Sequence, residues 1–90
     1  MIIRSQDKKE LHNLDGIKMI SVTTNSQNYF VEVNSQKTIG TYSTEEKAIK
    51  VLDMICAFYI RMVDVTNNIV QATKEDSYVF QMPADEEVEV

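Results

Sequence analysis

The sequence predicts an α+β fold in which a small antiparallel sheet packs on one long α-helix. Two observations lead to this class. Residues 17–42 contain three short segments of alternating apolar and polar side chains, separated by turn-rich stretches, which is typical of a strand meander. Residues 43–65 then carry apolar side chains at helical spacing, after a strong helix-start signal. We expect the element order β-β-β-β-α-β.

Five strands are predicted along the chain. They cover residues 1–4, 17–24, 29–34, 38–42 and 78–82, and Pro83 ends the last one. Gly40 lies inside a strand, which indicates a bulge or a close backbone approach. The polar segment 5–16 is expected to be a loop, and 66–77 a connector in which Ile69 and Val70 dip into the core.

The helix start is predicted from the run Ser43-Thr44-Glu45-Glu46, which has the pattern of a capping box. In this arrangement the Ser43 hydroxyl accepts a hydrogen bond from the N–H of Glu46, whose carboxylate reaches back to the N–H of Ser43. Two acidic residues in the first turn also suit the positive end of the helix dipole. The box explains why a strand becomes a helix so abruptly.

The helix is apolar over an arc of roughly 200°, whereas covering one sheet requires about 100° or slightly more. The surplus predicts a contact with a second copy of the chain, and hence a homo-oligomer, dimeric or larger. The predicted subunit interface is Ile49, Cys56, Phe58, Ile60 and Val63. The alternative is that the connector 66–77 folds over this surface. Cys56 is expected to be a small packed residue rather than a nucleophile.

The composition predicts one domain over residues 1–83 and an acidic tail over 84–90. Apolar residues make up 43% of the chain, as in globular domains. Residues 1–74 carry nine basic and eight acidic side chains, whereas 75–90 carry six acidic ones and no basic one, so the net charge of −5 comes from the C-terminal part. The tail is expected to stay solvated because it is too polar to bury.

Several classes of partner and location are disfavoured by the same composition. No apolar run is long enough to cross a membrane, and the N-terminus lacks the pattern of a signal peptide. A single cysteine permits no internal disulfide, which favours a cytoplasmic location. No basic stripe interleaved with aromatic residues is present, so nucleic acid is not an expected partner.

Catalytic and cofactor chemistry finds little support in the sequence. The chain has two isolated glycines and no phosphate-binding loop, and its one histidine, His12, has no second ligand at metal-binding spacing. We therefore expect no enzyme activity, no metal and no cofactor. A basic grouping near the N-terminus could contact an anion such as phosphate, the alternative being a solvated surface. Its members are Arg4, Lys8, Lys9 and Lys18.

Three stretches of the chain resemble a group of small uncharacterised proteins from Firmicutes and their prophages. These stretches are "IIRSQDK", "IGTYSTEEKAIKVLDMI" and "VFQMP", which together cover about half of the chain. The resemblance implies a phage or mobile-element accessory protein. It brings no activity and no functional residue with it.

The function expected on these grounds is that of a non-catalytic binding module. It would act by occluding a host protein, with a defence component as one class of target. The alternative is an oligomeric sponge that holds a small nucleotide signal between subunits. Such a sponge needs several Arg, Lys or backbone N–H groups converging on phosphate, whereas an inhibitor of a protein needs only an exposed patch.

Overall fold

The computed structural model describes residues 1–67 and 79–90. The elements are β1 (Ile2–Arg4), β2 (Leu11–Asn13), β3 (Ile20–Thr24), β4 (Tyr29–Val33), β5 (Lys37–Tyr42), α1 (Glu45–Asn67) and β6 (Val79–Gln81). Single 3₁₀ turns follow β2 and β6. The α+β class is confirmed. The helix reaches further than predicted. The rest of the expected connector, with Ile69 and Val70, lies outside the described residues, as does Tyr78 at the start of the last predicted strand.

The strands form two three-stranded sheets. In the first sheet, of order β2-β1-β6, β1 is antiparallel to β2 and parallel to β6. In the second sheet, β3, β4 and β5 form the predicted antiparallel meander. Strand β2 lies where a loop was predicted. The sequence does not reveal this strand because its one aliphatic side chain, Leu11, is 65% exposed, so no alternation of buried and exposed residues marks it. A parallel pair needs a long connection between its strands, and here four strands and α1 lie between β1 and β6 in the chain.

Polar side chains and backbone geometry fix the two hairpins of the meander. In the β3–β4 turn, Asn25 Oδ1 accepts hydrogen bonds from the N–H groups of Gln27 and Asn28, at 2.8 and 2.9 Å. In the β4–β5 turn, Asn34 and Ser35 both have positive φ, at 54° and 58°. Two such central residues are typical of a type I′ turn, whose twist matches that of the flanking strands.

Gly40 sits at a β-bulge between β4 and β5, as the sequence predicts. The register shifts between Val31, which faces Gly40, and Glu32, which faces Thr38. A Cβ atom at position 40 would lie 2.9 Å from the side chains of Met82 and Tyr42. Glycine therefore lets buried side chains pack directly against the backbone of β5.

The N-cap of α1 is Thr44, so the expectation for Ser43 is wrong. Thr44 Oγ1 accepts a hydrogen bond from the N–H of Lys47, at 3.2 Å. The Ser43 hydroxyl instead donates to Asp85 Oδ1 at 3.1 Å, and the Ser43 N–H donates to the same oxygen at 2.9 Å. The Asp85 carboxylate thus bonds both the hydroxyl and the N–H of Ser43, the two groups that the capping box would have used.

One apolar core joins both sheets to the first half of α1, which packs across β3, β4 and β5. The core side chains come from β1, β4, β5, α1, β6 and the C-terminal segment. They are Ile3, Val31, Val33, Ile39, Tyr42, Ala48, Val51, Ile55, Phe80, Met82 and Val88. Burial raises the pKa of Tyr42, whose hydroxyl donates to the Pro83 carbonyl at 2.8 Å.

The side-chain amide of Gln6 connects the two sheets. Its Oε1 accepts from the N–H of Thr41 at 2.9 Å, and its Nε2 donates to the carbonyls of Thr41 at 3.0 Å and Pro83 at 3.1 Å. The Gln6 N–H donates to the Ile39 carbonyl at 2.8 Å. A glutamine side chain thus pairs with the edge of β5 as a neighbouring strand would.

The C-terminal segment is part of the fold, which corrects the expectation of a solvated tail over 84–90. Val88 is only 4% exposed and belongs to the core. Asp85 bonds Ser43, and its carbonyl accepts from Lys47 Nζ at 2.9 Å. The hydrogen bond from the Ser43 backbone is the main cause that lowers the pKa of Asp85. One aliphatic side chain among acidic ones is enough to anchor the segment.

Removal of residues 85–90 should lower the free energy of unfolding by about 2–4 kcal/mol, through lost burial of Val88 and lost hydrogen bonds. Urea denaturation followed by circular dichroism measures the change. Removal of Glu89 and Val90 alone is the control and should have little effect, since both are exposed. Equal stability of the two truncated chains would contradict the anchoring role of Val88.

The replacement Gln6→Ala should lower the free energy of unfolding by about 1–3 kcal/mol, because Thr41 then loses both partners at a partly buried site. Gln36→Ala, at an exposed position in the β4–β5 turn, is the matched control. If both variants melt at the wild-type temperature, the amide of Gln6 does not hold the sheets together.

Candidate functional site

Five side chains of low polarity are exposed on α1 and just before β3, and they define what we call the flank patch. Four lie on α1: Ile49 is 46% exposed, Tyr59 47% and Ile60 54%, and Cys56 is also exposed. Met19, just before β3, is 49% exposed. At about 100° per residue, Ile49, Cys56 and Ile60 fall within a narrow sector of the helix. They lie beside the core-facing side chains rather than opposite them.

A shallow groove lies between α1 and the chain that leads into β3. Its volume is about 350 Å³, and most of its lining is apolar. The lining residues are Leu14, Ile17, Lys18, Met19, Ile20, Leu52, Ile55 and Cys56. The groove shares Met19 and Cys56 with the flank patch, so the patch continues from the helix towards the start of β3.

Phe58 does not belong to this surface, which corrects its place in the predicted interface. Its ring contacts Phe80 edge to face, with 5.5 Å between centroids, and Arg61 lies 5.6 Å from the Phe58 centroid. Phe58 therefore covers the opposite flank of α1, next to β6. The side chain of Val63 lies outside the described part of the structure.

Cys56 is exposed, so the expectation that it is packed is wrong. Its position on the helix turns it away from the core residues Val51 and Ile55 and towards the groove. This exposure leaves the thiol at the centre of the flank patch. An exposed thiol presents a small, weakly polar surface.

The predicted basic grouping is divided between two connections. Arg4, Lys8 and Lys9 are exposed at or after the end of β1, where Arg4 Nε donates to the Lys8 carbonyl at 3.2 Å. Lys18 follows the 3₁₀ turn after β2, and its backbone N–H donates to Asn34 Oδ1 at 2.7 Å. The contacts of the described residues do not bring Lys18 to the other three. Their binding of an anion stays a prediction.

A second cleft, of about 230 Å³, lies between the segment after β1 and the edge of β5. Its charged side chains are Asp7, Glu10 and Lys37. Lys37 Nζ lies 2.7 Å from Glu10 Oε2, and His12 Nε2 lies 3.0 Å from Glu10 Oε1. With two carboxylates and one ammonium group, this cleft has the wrong charge balance for a phosphate.

Two further findings concern the residues that the structure describes. Among them, no group of three His, Cys, Asp or Glu side chains could hold a metal ion. Within the same residues, no helix is long and apolar enough to cross a membrane.

Comparison of the chain with protein-family models, curated proteins and solved structures found no match.

Sequence reasoning missed Met19 as part of the candidate site. The segment 17–24 carries apolar side chains on both faces, so alternation alone does not say which of them remain exposed. A signal was nevertheless present, because residues 19–31 include no charged side chain. Exposed edge strands usually carry charged residues, so a stretch of this length without any is a signal that could have been followed.

The ion pair of Glu10 and Lys37 should stabilise the fold within a limited pH range. Lys37 is the main cause that lowers the pKa of Glu10 below 4.5, and Glu10 raises the pKa of Lys37 above 10.5. The contribution of Glu10 is therefore present above its unfolded pKa and lost as the pH falls through the lower folded value. The contribution of Lys37 is present below its unfolded pKa and lost as the pH rises through the higher folded value.

Lys37→Met should move the pKa of Glu10 back towards 4.5, since the largest cause of its shift is removed. An NMR titration of the side-chain carboxyl carbon measures this pKa. Lys50→Met, which removes an exposed ammonium group from α1, is the control. A pKa of Glu10 that is the same in both variants would show that Lys37 does not pair with it in solution.

Proposed function

We propose that this protein is a non-catalytic binding module whose flank patch covers a surface of another protein. The observation that carries the proposal is the exposure of Ile49, Tyr59, Ile60 and Met19, each between 46% and 54% exposed. Apolar side chains grouped in this way are typical of interaction sites, whereas single exposed ones need no explanation.

The surroundings of the flank patch support a protein as the partner. Lys50, Asp53 and Arg61 are exposed on the same helix and give the patch a polar rim. An apolar centre with an aromatic residue and a polar rim is the usual composition of a protein–protein interface. The groove beside Cys56 is open and shallow, which suits a side chain of a partner better than an enclosed small molecule.

The contacts of the reactive side chains favour binding over catalysis. Ser43 donates to Asp85, and His12 contacts Glu10, which is itself paired with Lys37. A serine nucleophile is usually activated by an adjacent histidine or amine, whereas the described contacts of Ser43 are to a carboxylate. The contact of Ser43 holds the helix start, and that of His12 holds the β1–β2 hairpin. Ser43 and His12 therefore have structural roles.

The resemblance to small phage-associated proteins suggests the setting of this binding. In that setting the module acts by occlusion: once bound, it covers a surface that a host protein, such as a defence component, uses for its own contacts. Occlusion requires affinity and a well-placed surface but no chemical step. A folded body with an exposed apolar patch is sufficient for it.

Ile60→Glu should weaken binding to the partner at least about tenfold, because a carboxylate would lose its hydration at the contact. Ile60 is 54% exposed, so the variant should keep the wild-type melting temperature. The tagged wild type is used to isolate a stoichiometric partner from lysate of a Firmicutes host. Binding of the purified partner to each variant is then measured by calorimetry.

Lys9→Glu changes charge at an exposed position between β1 and β2, outside the flank patch and its rim, and is the control, for which near wild-type affinity is expected. Equal affinities of the Ile60→Glu and wild-type proteins would refute the role of the flank patch. Native mass spectrometry of the isolated protein provides a second test. A bound small nucleotide instead of a protein would refute the binding-module proposal in favour of a sponge.

A further inference from the structure

The outer edge of β3 is the longest sheet edge that no described residue pairs with. The outer strands β2 and β6 of the first sheet have three residues each, whereas β3 has five. The edge of β5 is longer, but Gln6 pairs with Ile39 and Thr41 along it. An unpaired strand edge presents a row of backbone donors and acceptors to any other strand.

The hydrogen bonds at the two ends of the β3–β4 hairpin show which groups of β3 point outward. The Asn34 N–H donates to the Met19 carbonyl at 2.7 Å, and the Asn25 N–H donates to the Asn28 carbonyl at 3.1 Å. Odd-numbered residues of β3 therefore bond to β4. Because bonding alternates along an antiparallel strand, the N–H and C=O groups of the even-numbered residues point outward. They are Ile20, Val22 and Thr24.

The charge of this region favours a second copy of the chain as the occupant of the edge. Residues 19–31 contain no Asp, Glu, Lys, Arg or His, although the chain has a net charge of −5. Exposed edges are usually protected from self-pairing by charged residues, proline or bulges. Strand β3 has none of these, so an identical strand meets it without like-charge repulsion. Its threonine and valine side chains also pair well across strands.

We propose that β3 pairs antiparallel with β3 of a second copy, about a two-fold axis at Val22. In this register Val22 bonds its own counterpart and Ile20 bonds Thr24, which gives about six inter-strand hydrogen bonds. The interface is self-complementary, as a two-fold dimer requires. The two meanders become one continuous six-stranded sheet.

The same dimer brings the two flank patches together. Both helices lie on one face of the joined sheet, because Ile20 and Val22 of β3 face the core beneath α1. Three strand spacings place the helix axes about 14 Å apart, and a helix with its side chains is about 10–12 Å wide. Because this spacing exceeds the width of one helix, the flanks carrying Ile49, Cys56 and Ile60 border a common groove instead of burying each other. The proposal rests on the proposed function, since the second copy completes the surface that a partner protein contacts.

A charge-exchange experiment tests this register. Ser21 of one copy lies opposite Thr23 of the other, on the sheet face away from the helices. The double variant Ser21→Glu/Thr23→Glu places like charges opposite each other and should weaken self-association about tenfold or more. Ser21→Lys/Thr23→Lys should do the same. An equimolar mixture of the two variants should recover the dimer, because opposite charges then face each other.

Sedimentation velocity of each sample at about 100 µM measures the dimer, and native mass spectrometry identifies mixed pairs. Gln36→Glu/Thr38→Glu adds the same charge at exposed positions of the β4–β5 hairpin and should dimerise like the wild type. A wild type that is monomeric at this concentration overturns the proposal. Dimers that persist in both double variants, or a mixture that stays monomeric, overturn it as well.

Amide hydrogen exchange of the wild type provides a test that needs no variant to fold. The amides of Ile20, Val22 and Thr24 should exchange slowly at high protein concentration and faster on dilution. Protection that does not change on dilution would mean that the chain covers its own edge, and absence of protection would mean that the edge is free. Either result overturns the proposal.

These outcomes are distinct from a failure of the proposed function. Loss of partner binding in the Ile60→Glu protein, together with a monomeric wild type, would support the flank patch and refute the β3 pair. A wild-type dimer that the charge exchange controls, together with equal partner binding by the Ile60→Glu and wild-type proteins, would support the pair and refute the patch.

Discussion

The junction between the two sheets depends on the bonding of one side-chain amide, that of Gln6, to the edge of β5. Three of the six strands have only three residues each, and a sheet made of such strands has little stability of its own. Gln6 satisfies both backbone groups of Thr41 and also bonds the Pro83 carbonyl. The small first sheet is thereby attached to the meander, and both contribute to one core.

The second constraint is that the C-terminal segment packs against the start of α1. Tyr42 bonds Pro83, Asp85 bonds Ser43, and Val88 fills the core beyond them. These contacts lie on the side of the helix next to β6, where Phe80 also covers Phe58. The C-terminal segment and β6 therefore cover one flank of α1, and the other flank remains apolar and exposed. The candidate binding surface follows from this asymmetry.

The candidate site was predicted in part. The width of the apolar arc identifies α1 as a helix with more apolar surface than one sheet covers, and Ile49 and Ile60 are exposed accordingly. Angular position alone cannot say which of the two flanks is covered, so Phe58 was grouped with them although Phe80 packs on it. Met19 was missed because its exposure depends on where α1 crosses the sheet.

The sequence by itself determined the local structure: the alternation of β3–β5, the turns at their ends, the bulge at Gly40 and the helix that follows. These features depend on neighbouring residues, whose preferences act over short distances. Only the tertiary structure decided that Thr44 rather than Ser43 caps the helix, and that Val88 is buried. Both depend on the C-terminal segment, whose Asp85 lies 42 positions beyond Ser43 in the chain and is brought to it by the fold. Contacts between such distant residues leave no periodic signal in a single sequence.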